Sequence, residues 1–209
     1  MERRKVLFTS IEALTGDGER DALAAALLTA ETREGERLGW DRQPTLWALH
    51  LPAMDIGVIE LRVVPSRRWR GSEDRNPADV LAGWGLRQPV PESAPARRVA
   101  DAPDGFAGIA FMYEAWSVPD AALDEAMEQS RAAGERLFHE RDDRIEVRQI
   151  VAVDINGNGY LVVRRRGAGP VLKVTDALEP HHRIELSGDL IDPLHRLVDA
   201  VRVGAVHLG

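Results

Sequence analysis

The 209-residue chain contains no cysteine. That absence excludes disulfides, thiolate zinc sites, iron–sulfur ligation and thiol nucleophiles, and it fits a reducing compartment. Long apolar runs are missing too. None approaches the roughly 18–20 residues needed to span a bilayer. The short stretch Val6 to Phe8 after the basic start is interrupted by Thr9, Ser10 and Glu12 before a signal-peptide core forms. A soluble cytoplasmic protein with no membrane partner is therefore expected. Positive charge is in the minority, with 27 Lys and Arg against 34 Asp and Glu, a net −7. Such a surface repels phosphate backbones on average, so nucleic acid is not the expected partner. The phosphate-loop, dinucleotide-fingerprint and nucleophile-elbow patterns of glycine, lysine and serine are absent, which argues against the familiar nucleotide enzymes and α/β-hydrolases.

What is present reads as one domain over residues 1–209. Glu19 to Leu38 is rich in Ala, Leu and Glu, with Leu23, Leu27 and Leu28 on one side, and predicts a helix stopped at Gly39. Alternation over Thr45–Leu51 and Ile56–Val64 predicts two strands, with Ile59, Leu61 and Val63 inward and Glu60 and Arg62 outward. Asn76-Pro77-Ala78-Asp79 opens a short helix carrying Val80, Leu81 and Trp84. Residues 88–105, rich in proline and charge and without a period, are expected to form a mobile surface loop. Phe106 to Trp116 is apolar apart from Glu114 and predicts a central strand covered on both faces. Ser117 to Asp120 opens a helix whose spacing runs from Leu123 to Phe138. Ile145–Asp154 and Tyr160–Arg166 read as strands joined at Asn156-Gly157-Asn158-Gly159, with a short edge strand at Val171–Thr175 and a last helix over about Asp189–Arg202. The fold class expected is α+β: a mostly antiparallel sheet of five or six strands, with helices packed mainly on one face.

Several residues carry candidate chemistry. Asp154, Asn156, Asn158 and Gly159 match the first half of a calcium loop, but position twelve is Arg165 where a bidentate acid is needed. A plain hairpin is the better account. Asp41, Glu60 and Arg62 resemble the acid and Glu-x-Lys pair by which some nucleases hold magnesium, yet arginine cannot act as the lysine does. Glu114, alone in an apolar strand, is either a general acid or base with a raised pKa or the partner of Arg148 on the next strand, and the pair is preferred. No two of the six histidines have the spacing that holds a metal on one helical face. Arg67, Arg68 and Arg70 around Trp69, together with Trp84, are the candidate binding residues, since Trp and Arg dominate binding hot spots. Arg164 to Arg166 form a second basic cluster.

The run Gly39-Trp40-Asp41-Arg42-Gln43-Pro44-Thr45-Leu46-Trp47-Ala48-Leu49 resembles a segment of small uncharacterised proteins of actinobacteria and their phages. Glu114-Ala115-Trp116 and the run from Val147 to Asp154 are similar in flavour. The resemblance implies no activity, cofactor or catalytic residue. The expectation is a non-enzymatic domain that binds a protein or small ligand, possible as a homo-oligomer, with no cofactor and no metal. One alternative is a metal-dependent hydrolase or nuclease using Asp41, Glu60 and Glu114. The other is a nucleic-acid binder working through the arginine clusters.

Overall fold

The computed structural model describes residues 3–7, 17–51, 58–68, 75–88, 105–133, 137–175 and 190–208. The class is α+β and the sheet is wholly antiparallel, as expected. Its strands are β1 (Arg3–Leu7), β2 (Thr45–His50), β3 (Val58–Val63), β4 (Phe106–Ser117), β5 (Ile145–Asp154), β6 (Gly159–Arg165) and β7 (Pro170–Thr175). They lie in the order β1-β3-β2-β4-β5-β6-β7. The strand beyond the expected set is β1, an edge strand that pairs with β3. Its sequence offered no alternation to find.

The helices are α1 (Asp17–Leu38), α2 (Pro77–Leu86), α3 (Asp120–Ala133) and α4 (Ile191–Arg202). They occupy both faces of the sheet, where the composition suggested mainly one. On one face Leu23, Ala26, Leu27 and Ala30 of α1 meet Trp47, Leu49, Ala110, Met112, Ile150, Ala152 and Val162. On the other, Leu81 of α2 and Leu194, Leu197 and Val198 of α4 meet Leu46, Ala48, Ile109, Phe111, Val151 and Val153. The physical reason lies in β4 and β5. Both are apolar on their two sides, so each side must be covered to leave water.

Local signals account for the boundaries. Asn76 caps α2, its Oδ1 accepting the Ala78 N–H at 2.9 Å, and Pro77 fills the first helical position. Gly157 at φ 88° turns the β5–β6 hairpin, and Gly167 at φ 85° turns β6 into β7. The helical period expected to reach Phe138 stops earlier: α3 ends at Ala133, and a separate short turn covers Leu137–Glu140. Of the mobile loop expected at 88–105, residues 89–104 lie outside the described residues.

Gly85 lets α2 approach α4. A Cβ there would lie 2.6 Å from the Pro193 carbonyl oxygen and 2.8 Å from its Cβ. Gly85→Ala is expected to cost about 1–3 kcal/mol by forcing the two helices apart. The denaturant midpoint should fall while the slope of the transition is unchanged.

Candidate functional site: an arginine–carboxylate cluster around Trp40

The cluster forms where α1 ends. Gly39 at φ 68° and Asp41 at φ 65° turn the chain back over the sheet and lay Trp40 between two arginines. The Arg148 guanidinium lies 4.8 Å from the Trp40 ring centre and that of Arg166 5.4 Å. Cross-strand register places the charges: Glu114 of β4 pairs with Arg148 of β5, which pairs with Arg164 of β6, while Trp116 pairs with Glu146. All of these side chains point to the α1 face, because Met112, Ile150 and Val162 two positions away belong to that core.

Arg148 is fully buried. Its Nε and Nη2 donate to Glu114 Oε1 at 3.1 and 2.8 Å, Nη2 also donates to the Gly39 carbonyl, and Nη1 lies 3.6 Å from Glu31 Oε1. Glu31, also fully buried, takes Arg164 Nε at 2.7 Å. The second oxygen of Glu114 accepts the backbone N–H groups of Asp41 and Arg42 at 2.7 and 3.0 Å. Glu146 is bound by Arg166. Beside this network Arg144 stands 5.0 Å over the ring of Trp116.

Carboxylate oxygens of Asp41, Glu114 and Glu146 lie within 4.8 Å of one another. The sequence expectation grouped Asp41 and Glu114 with Glu60, and here the structure corrects it. Ile59 and Leu61 face α1, so Glu60 between them points to the opposite side, where Arg62 Nε and Nη2 bind it at 3.0 and 2.9 Å. Glu146 takes its place in the trio. The chemistry of the trio is constrained by its neighbours. Glu114 accepts four hydrogen bonds, two at each oxygen, which fills its lone-pair sites. The Arg148 guanidinium offsets the charge of Glu114, and that of Arg166 offsets the charge of Glu146.

The other candidates are also accounted for. Asp154 does not open a calcium loop. Its Oδ1 accepts the Asn156 and Asn158 N–H groups at 2.8 and 2.9 Å, and its Oδ2 accepts the Asn158 amide at 2.8 Å and the Tyr160 hydroxyl at 2.7 Å. This is a hairpin closed on its own carboxylate. The second basic cluster is paired residue by residue: Arg164 with Glu31, Arg165 with Asp120, Arg166 with Glu146. Of the first, Arg67 is exposed, the side chain of Arg68 and all of Trp69 and Arg70 lie outside the described residues, and Trp84 is half-buried against the α2–α4 core. His50 and His195 are buried, and His181 and His182 lie outside the described residues.

Glu31, Trp40, Glu146 and Arg164 escaped sequence reasoning as members of one site. Spacing carried a usable signal for three of them. Glu31 continues the stripe Leu23, Leu27 at intervals of four, and Glu146 and Arg164 stand two residues from Arg148 and Arg166 on neighbouring strands.

No family model matches the chain, and neither a curated protein nor a solved structure matches it. No described helix is long and apolar enough to cross a membrane.

Proposed function

We propose that this chain is a non-enzymatic, protein-binding domain whose contact surface is the outer strip of the sheet on the α4 face. The observation that supports it is exposure. α4 lies over β4 and β5, and toward the edge Val171 of β7 is 59% exposed beside exposed Lys173. An uncovered β-branched residue beside a cation on an edge strand is suited to a partner carrying apolar and acidic groups. The Glu114 carboxylate, by contrast, is held by buried Arg148 and two backbone donors, and that of Glu146 by Arg166, which supports a structural role for both.

A photo-reactive residue at position 171 is expected to form a discrete protein adduct in cells, and one at exposed Asn156 is not. The reading fails if position 171 gives no adduct. The hydrolase reading retains one observation, the proximity of Asp41, Glu114 and Glu146. It requires magnesium or manganese to raise the thermal midpoint, since a cation bound to the folded state alone stabilises it by mass action. The binding-domain reading expects no such rise, and none that Asp41→Ala abolishes.

A further inference from the structure

We infer that the partner of the β6–β7 face is a second copy of this chain, contributing helix α3. The inference rests on the binding-domain reading. Among the described side chains of α3, Ala126 is buried and Ala122 and Leu123 are half-buried, while Asp120, Asp124, Glu125, Met127 and Glu128 are exposed. Asp124, Met127 and Glu128 stand three and four residues apart and so share one side of the helix. That side is acidic with an apolar centre, and the β7 strip sets an apolar residue beside a cation: Val171 next to Lys173. Met127 and Val171 are each exposed, at 43% and 59%, so the two surfaces do not cover each other within one chain.

Their dimensions agree. A 14-residue helix is about 21 Å long at ~1.5 Å per residue, and a six-residue strand spans about 20 Å at ~3.3 Å per residue. The ion pair between Asp120, at the start of α3, and Arg165, on β6, anchors the start of the helix beside β6. In the inferred dimer each α3 lies on the other copy's β7, a reciprocal contact of the kind closed dimers use. Docking is on the face and not along the edge, because Pro170 lacks an N–H and Lys173 discourages strand-to-strand growth. Two helix-on-strip contacts fall at the small end of protein interfaces, below about 1,200 Å² in total, so the dimer is a weak one.

The absence of cysteine makes the test clean. Sedimentation equilibrium of the full chain is expected to show a monomer–dimer equilibrium in the micromolar to millimolar range. Lys173→Glu and Glu128→Lys should each weaken it by about tenfold, because each sets like charges opposite one another at both contacts. Mixed in equal amounts, the two variants should recover dimer, since one of the two contacts then pairs like-for-like with the natural chain and the other pairs opposite charges again. Recovery on mixing also shows that both variants are folded. Met127→Cys mixed with Val171→Cys should form an intermolecular disulfide faster than either does with Asn156→Cys. A wild-type chain that stays monomeric, or a disulfide no faster than the control, overturns the inference. A monomer whose position-171 probe still captures a different protein overturns the dimer and leaves the binding-domain reading standing. No adduct at all removes both.

Discussion

Replacing Arg148 by methionine is expected to lower the unfolding free energy by about 3–5 kcal/mol, the scale for stranding a buried charge. The fully buried guanidinium touches Glu31, Glu114, the Gly39 carbonyl and the Trp40 ring, so it ties α1 and the turn after it to β4 and β5. Methionine keeps much of the volume and the apolar stem, so the loss reports the charge and its hydrogen bonds. Glu31 would keep Arg164 alone, and Glu114 would keep only the two backbone N–H groups. With total stabilities of about 5–15 kcal/mol typical, a loss of this size is a large share of the fold. Urea unfolding monitored by tryptophan fluorescence measures it. A loss under about 1 kcal/mol would place the cluster with exposed ion pairs and contradict a structural role for the buried guanidinium. Adding Glu31→Gln to Arg148→Met should cost less than the two single losses combined, because the second change removes a charge the first has already stranded.

How much of this was legible in the sequence differs by element. The Glu114–Arg148 pair was readable, since the one charge in an apolar strand needs an opposite charge beside it and Arg148 is the cation that the next strand offers. The β5–β6 hairpin was readable from its Asn-Gly repeats, whose backbone tolerates the positive φ that the turn at Gly157 needs. Glu60 shows where such reading stops. Alternation within β3 correctly separated Glu60 from Ile59 and Leu61. Which of the two faces also receives Asp41 depends on how β2 registers against β4, and no local pattern encodes that. Glu31 was hidden for another reason. A glutamate at the end of an apolar stripe reads as the helix returning to solvent, and only two arginines arriving from other strands reverse that. Trp84 reads both as part of the apolar stripe of α2 and as an anchor near a loop, and the structure places it half-buried against the core in that stripe.

Removing the Asp154 carboxylate is the second large loss expected, about 3–5 kcal/mol for Asp154→Ala, because it strands several donors at once. Two backbone N–H groups, the Asn158 amide and the Tyr160 hydroxyl all point at a side chain that is 1% exposed. Asp154→Asn should cost less, since its remaining carbonyl can still accept the two backbone donors. The pH dependence separates charge from shape. Burial raises the Asp154 carboxyl above its ordinary 3.8, and the four hydrogen bonds only partly counter this. Glu19, in the first turn of α1, is raised above 4.5 by burial and then by the charge of Asp154. Burial also pushes the Tyr160 hydroxyl far above its ordinary 10.0, so it stays a donor throughout. For both acids the folded state holds the proton more tightly than the unfolded chain. Their contribution to stability is therefore complete below the ordinary values, and it is lost as pH rises through the folded ones. Relative to Asp154→Asn, the natural chain should lose stability as pH climbs from about 4 toward neutrality, opposite in sign to a carboxylate held by arginines. Urea midpoints collected across that range decide it. A wild-type chain that gains on the asparagine variant with rising pH would mean that the four donors outweigh burial and hold Asp154 ionised.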